Sequence, residues 1–375
     1  MTGGIELRVE RGRDALAASR AAWDDLAGRA PCCYFQSWEW VTAWHEVLEP
    51  RAEVVLVEAV AGGRWEGVLP LALLGRQLHA RVPLRVRYLG LAGSGRGAGD
   101  HLGPVVSSVD LVEPLAEQAV RLAAGRSVYL ESVAPAHAGA LNAVVGGHQV
   151  RTVACPAVVI AGAAQADDLW AGKVRKNVRR RDRMLAEAAV VGRWIGPGEG
   201  VGEALAALRR LHVSRWQSHG QAGLFDDDRM AFLRRLTELG SAPDGPWLYL
   251  LESGDGPIAA LLGFQYRRTF ANYKTGWDPD HARLGLGIAL HAASMRRAVG
   301  EGLEVVDFLR SQGGHKYSLG ATDRHDVCLL RSRGVGGAVL RLREEGASIL
   351  AARTTARRGA ARSWAEGGGT ADGER

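Results

Sequence analysis

Lysine is nearly absent from this sequence. Of its 47 basic residues only four, Lys173, Lys176, Lys274 and Lys316, are lysine, and the other 43 are arginine. Where arginine fills the generic cationic positions, each remaining lysine is a candidate for a compact, mobile ammonium that a planar guanidinium does not replace. Long apolar runs are missing as well. No segment approaches the roughly 18 to 20 apolar residues that span a bilayer, and the start, "MTGGIELRVERGRDALAAS", has no apolar core behind a basic leader, so a cytosolic protein is expected. Cysteine is scarce. Cys32 and Cys33 are adjacent and could bridge only with strain, Cys155 and Cys328 stand alone, and no CxxC or Cys/His spacing suggests zinc, so no structural metal is expected.

With 375 residues, 47% of them hydrophobic and 23% charged, the chain has the make-up of two globular domains of ordinary size. Its order of elements says one thing twice. "AEVVLVEAVAGGRWEGVLPLALL" (52–74) and "WLYLLESGDGPIAALLGFQYR" (247–267) each predict a strand, a glycine-containing turn and a second strand. Each is followed by further extended chain, a helix (109–124; 286–302) and another strand (127–133; 303–309). A tandem pair of α/β domains, each a mixed sheet flanked by helices, is the economical reading. The division is placed at residues 1–160, a linker helix at 161–195, a second domain at 196–345 and a disordered Ala/Gly/Arg-rich tail at 353–375.

One absence is local. "LWAGKVRKNVRRRDRML" (169–185) holds seven cations and one acid between Lys173 and Arg183, a net of +6, which equals the net charge of the whole chain. Asp167 and Asp168 suit the start of a helix here. At 100° per residue Trp170, Val174, Val178 and Leu185 share one face, and Lys173, Lys176, Arg180 and Arg183 another, while Arg181 falls among the apolar residues and needs a partner or an outward path. A stripe without interleaved acids repels itself unless a polyanion lies against it, which makes Lys173, Arg175, Lys176, Arg179, Arg180 and Arg183 candidate RNA contacts. Further on, "DPDHARLGLGIAL" (278–290) is a glycine turn opening directly into a helix, a ready anion site. "VVDFLRSQGGHKYSLGA" (305–321) sets Asp307 and Arg310 at a strand end, before Gly313, Gly314 and Lys316.

These stretches resemble the GNAT acyltransferases, and the whole chain resembles the tandem CelD-like and Fem-type aminoacyltransferase group. The resemblance rests on "YFQSWEWVTAW" (34–44), "GDHLGPVV" (99–106), the basic stretch, "LHVSRWQSHGQAGLF" (211–225), "YKTGWDPDHARLGLG" (273–287) and "DFLRSQGGHKYSLGA" (307–321). It implies transfer of an acyl group to an amine, with the donor in a cleft of the second domain and Lys316 facing the reacting centre. The donor would meet Arg283, Gly285, Gly287, Tyr273, Lys274, Arg310 and Tyr317. The cation that the family sets before the loop glycines belongs at 282, which is Ala282, and this departure favours aminoacyl-tRNA over an acyl-coenzyme A as co-substrate, with no bound cofactor. Asp307, Asp100 and His101 are candidate proton acceptors. Gln36, Trp38, Arg215 and Trp216 are candidate walls for a small amine acceptor. An N-acyltransferase using acetyl-coenzyme A is the alternative. A non-catalytic nucleic-acid-binding protein on the same scaffold is disfavoured by the lack of helix-turn-helix or zinc-finger spacing.

Overall fold

The structure, a computed structural model, describes residues 4–79, 82–198, 200–217, 225–310 and 313–347; the expected tail at 353–375 lies outside them. Among the described residues thirteen strands form one mixed sheet. They are β1 (Glu6–Arg11), β2 (Glu53–Ala61), β3 (Arg64–His79), β4 (Val82–Leu91), β5 (Val105–Val106), β6 (Ser127–Val133), β7 (His148–Val159), β8 (Val191–Ile195), β9 (Gly245–Ser253), β10 (Gly256–Tyr266), β11 (Thr269–Trp277), β12 (Val305–Asp307) and β13 (Thr322–Arg331). The helices are α1 (Gly12–Ala18), α2 (Arg20–Arg29), α3 (Trp38–Ala43), α4 (Val112–Ala123), α5 (Pro135–Val145), α6 (Gly172–Glu187), α7 (Val201–Gln217), α8 (Asp227–Leu239), α9 (Leu286–Gly300) and α10 (Gly314–Ser318). Both predicted hairpins form. Gly62 and Gly63, at φ +56° and +80°, make the tight turn between β2 and β3 that residues with a Cβ seldom adopt.

The strand order is β1-β2-β3-β4-β6-β13-β7-β12-β11-β10-β9-β8, with β5 on β3. It reads alike from either end. β4 runs parallel to β6 and β11 parallel to β12, and the last strand of each half is exchanged: β13 closes the first half's sheet against β6, while β7 closes the second half's against β12. The duplication read from element order is thus also a symmetry of the sheet. One core runs through both halves, where Tyr34 stacks on Phe264 at 4.4 Å and Trp40 meets Phe232 edge-on at 5.0 Å. A second core, with Trp170, Val178, Leu185, Phe270 and Leu290, lies beneath α6 and α9.

Helix α6 differs from expectation at its start. It begins at Gly172 with no acid in its first turn, and Asp167 and Asp168 lie in the preceding short turn Ala166–Leu169. Asp167 does not cap the helix; it pairs with Arg179 at 3.1 Å and with Arg296 at 3.5 Å. Among the described residues no helix is long and apolar enough to cross a membrane.

Candidate active site at the parted strands

β11 and β12 pair only from Thr269↔Val305 to Ala271↔Asp307, after which β12 stops and β11 continues to Trp277. Tyr273 is an extra residue in β11, since Asn272 pairs with Gly263 and Lys274 with Leu262 on β10. A bulge of this kind bends its strand away from the neighbour and re-aims its side chains. Lys316 reaches the parting from α10, where its buried Nζ donates to the carbonyls of Phe308 at 2.7 Å and Leu309 at 3.1 Å. Burial pushes its pKa down to about 8, against the pull of Asp307. Lys274, half-buried over the Tyr273 ring at 4.9 Å, is also held near 8 by burial and by the like charges of Arg229, Arg310 and Lys316.

Asn272, the first residue of β11 past the last pair, is 5% exposed, and neither polar atom of its amide has a partner among the described residues. It faces α9 with Phe270, because Ala271 and Tyr273 belong to the other core. A buried amide left without partners costs free energy, so its place at the parting points to a ligand group. Nothing in the sequence singled it out.

The glycine turn Pro279–Leu284 leads through Gly285, at φ +69°, into α9. Arg181 answers its own question here: its Nη1 donates to the Arg283 carbonyl at 3.0 Å, and a Cβ on Gly285 would stand 2.6 Å from its Nε, which is buried without a partner among the described residues. Arg181 of α6 thus braces the backbone of the turn in which Ala282 stands where the family sets a cation. Arg283 itself is exposed, and the Cβ position of Gly287 lies 3.4 Å from the Trp277 ring.

A buried ionic cluster lies between the halves. His101 Nε2 meets Asp307 Oδ2 at 2.9 Å and its Nδ1 meets Asp326 Oδ1 at 2.7 Å, while its backbone N–H donates to Asp326 Oδ2 at 2.7 Å. Burial alone would lower the imidazole's pKa, but the two carboxylates win and raise it to about 10, so His101 is protonated at neutral pH and is no ready base. Asp100 is engaged as well, accepting from Arg310 Nε at 2.6 Å and from the Arg310 N–H at 3.1 Å. Of the expected proton acceptors, Asp307 alone borders a cavity with hydrogen-bonding capacity in hand, accepting among the described residues only from Leu309 N–H and His101.

Several expected site residues stand elsewhere. Arg310 serves the first half, donating also to the Gly99 carbonyl at 2.6 Å and Ser132 Oγ at 3.1 Å, instead of meeting a donor. Tyr273 is core: its hydroxyl donates to the Gly97 carbonyl at 3.2 Å and its ring packs on Phe264. The Tyr317 hydroxyl donates to Asp323 at 2.7 Å, away from the parting. The acceptor wall does not assemble as expected. Gln36 braces the 103–104 backbone and lines a cavity between the halves, but Trp38 is core, donating to the Leu16 carbonyl at 2.7 Å, and Arg215 stacks 3.5 Å over Trp277 beside Trp216 on the second half. On α6, Arg175 closes the preceding turn through the Asp167 and Trp170 carbonyls and Arg179 pairs with Asp167, which leaves Lys173, Lys176, Arg180 and Arg183 as the exposed cations without an ion-pair partner among the described residues.

A parallel pair that opens past a bulge, with a glycine turn and helix start behind it, is where the resemblance to GNAT acyltransferases places the acyl donor. Residues 172–317 match the family model of the acetyltransferase (GNAT) domain, from the basic helix to the Lys316 segment. The fold is similar to that of FemX, at TM-score 0.60 and 10% identity over 86% of this chain and 96% of that one. It is similar also to the C-terminal domain of a putative lysylphosphatidylglycerol synthetase from Agrobacterium fabrum, at 0.57 and 12% over 87% and 95%. A conserved protein of unknown function from Bacteroides thetaiotaomicron VPI-5482 gives 0.54 and 13% over 83% and 97%. Among curated proteins no sequence match was found. By sequence, residues 172–317 are thus a GNAT acyltransferase domain. The fold of the whole chain, with a sheet order that reads alike from either end, is similar to that of FemX.

Proposed function

We propose that the chain transfers an aminoacyl group from aminoacyl-tRNA to an amine, with residues 196–345 bearing the donor and residues 1–160 the acceptor side. The carrying observation is the stripe Lys173, Lys176, Arg180 and Arg183, exposed on the helix that props the donor turn through Arg181. A stripe this free of acids suits a phosphate backbone running up to the turn. FemX and the lysylphosphatidylglycerol synthetase domain share the fold. In the reaction an ammonium acceptor first gives one proton to a carboxylate, for which Asp307 is the candidate; the neutral amine nitrogen then bonds to the donor carbonyl carbon, the ester C–O bond breaks, and the second proton leaves on the tRNA hydroxyl. The ester is already electrophilic, so the chain's part is to position the reactants and to stabilise the oxyanion, for which the Lys316 ammonium is the candidate.

Changing Lys173, Lys176, Arg180 and Arg183 together to Glu is expected to weaken tRNA binding strongly and to flatten the slope of log K against log salt by about 3. Affinity indifferent to both would overturn the reading. A second reading, transfer from acetyl-coenzyme A, is favoured by the family model matched and by Gly285 and Gly287 at the start of α9. Calorimetry separates the two. Heat on adding acetyl-coenzyme A to the wild type, lost when Gly287 becomes bulky, would replace tRNA with coenzyme A.

A further inference from the structure

A cavity of about 400 Å³ opens between the halves on the face of the sheet opposite α9, and runs from Thr269 at the start of β11 to Asp307 and Leu309 at the parting. Its volume is that of a small-molecule site. Most of its wall is hydrocarbon, including Pro31, Phe35, Val106, Pro135, Phe264 and Leu309. Two buried polar groups on that wall have no partner among the described residues, His137 Nδ1 and the Tyr34 hydroxyl, at 9% and 2% residue exposure. The end nearest the parting carries charge. Two carboxylates, Asp307 and Asp326, hold one imidazolium, His101, so the trio has one net negative charge, and Asp307 and His101 both border the cavity. The neighbouring Asp100–Arg310 pair is neutral and adds nothing to that balance. Apart from His101, Arg324 is the one cation on the wall. With Arg324 the wall is neutral overall, and the end at the parting offers a cation with a hydrocarbon body a carboxylate with acceptor positions in hand, Asp307.

We infer that this cavity is the acceptor site, and that the acceptor is a primary amine carried on an apolar or aromatic body, its ammonium laid against Asp307 at the point where β11 and β12 separate. The inference rests on acyl transfer to an amine but not on which donor serves. Asp307 accepts hydrogen bonds from the Leu309 N–H and from His101, and a carboxylate offers about four such positions, so room remains for an ammonium N–H. His137 and Tyr34 then stand along the wall for a hydroxyl or carbonyl on the guest's body.

The test uses the full chain and three probes of one shape, 2-phenylethylamine, 2-phenylethanol and 3-phenylpropanoate, titrated by calorimetry without any donor. The amine is expected to bind about tenfold more tightly than the alcohol, with the carboxylate weakest. Asp307→Asn should erase the amine's advantage while the alcohol still binds. Because Asp307→Asn also disturbs His101 and could unfold the chain, Ala136→Trp provides an independent check: Ala136 is exposed at the rim of the cavity, and an indole there should abolish binding of all three probes with an unchanged melt. A wild type that binds none of the probes, that ranks alcohol level with amine, or that keeps its binding in Ala136→Trp overturns the inference. tRNA binding measured on the same samples keeps the two readings apart: loss of the amine site with tRNA binding intact removes only this inference, and the reverse removes only the tRNA donor.

Discussion

Both halves of the molecule part a parallel strand pair at the same place in the topology, and they treat the opening in opposite ways. In the first half β4 and β6 pair from Tyr88↔Ser127 to Gly90↔Tyr129, and the chain then refills the space. Leu102 takes the place of β4 beside Val133, its N–H donating to the Ser132 carbonyl at 2.8 Å and its carbonyl accepting from Ala134 at 2.9 Å. Arg310 closes what is left, through Asp100, Gly99 and Ser132. In the second half, among the described residues, no backbone returns beside β11; a lysine ammonium caps two carbonyls, and an amide without partners stands on β11 just past the last pair. An opening refilled with backbone has become structure. One capped by a side chain is the candidate site.

Breaking the first opening should cost stability, and breaking the second should cost turnover. The largest effect is expected from Arg310→Ala, which strands the buried Asp100 carboxylate: about 3–5 kcal/mol of folding free energy, read from denaturant midpoints. A loss under about 1 kcal/mol would show that the first opening is not held by this pair. Next comes Lys316→Ala, expected to lower single-turnover transfer on the order of 10² to 10³, as for loss of an oxyanion donor. Lys316→Arg should recover little, because a planar fork cannot occupy the place of a point charge. The alanine variant also leaves the Phe308 and Leu309 carbonyls without their donor, so a lower melting temperature is expected with it, and turnover is compared well below the melt. Near-wild-type transfer would reduce Lys316 to a cap.

The contrast between the halves also marks what the sequence disclosed. Hairpins, helices and their order were legible, because alternation, helical period and glycine turns are local signals. The exchange of β7 and β13 was not, since nothing local tells a strand which half it will pair with. Lys316 was legible through the scarcity of lysine, and Arg181 as a misfit on an apolar face whose partner lay 102 residues away. Asp326 was missed, although in "TDRHDVCLL" it occupies an inward position of a strand, where an acid needs a partner. Arg310 and Tyr273 were assigned to a donor because they flank the right motifs; only the folded chain shows that they face the first half. Proximity in sequence placed them near the site, and side-chain direction took them out of it.

Asn272 sharpens the comparison from the other side of the opening. If its amide meets the donor, Asn272→Leu should leave stability unchanged or raise it by up to about 1 kcal/mol, since an unpaired buried polar group is exchanged for hydrocarbon, while the donor KM rises about tenfold. Loss of stability with an unchanged KM would mean that the amide has a structural partner instead.

The smallest effect separates turnover from stability by pH. Burial holds Lys316 near 8, against 10.5 for an ordinary lysine, so between those values the folded chain has released a proton that the unfolded chain keeps. The unfolded state then binds more protons, and stability from this residue rises with pH across the window. A neutral amine still donates hydrogen bonds, so the Phe308 and Leu309 carbonyls stay satisfied. Turnover should move the other way: half lost near pH 8 and falling about tenfold per unit above it, because the charge that steadies the oxyanion is gone. Total stability will not display this, since the buried thiols, whose pKa values are raised, and His101 titrate with the opposite sign. The quantity to measure is the difference in stability between wild type and Lys316→Met, from which those groups cancel. That difference should shift in favour of the wild type from pH 8 to 10 while wild-type transfer declines. Turnover and the stability difference falling together would place the loss in the fold of the second opening and not in the charge of Lys316.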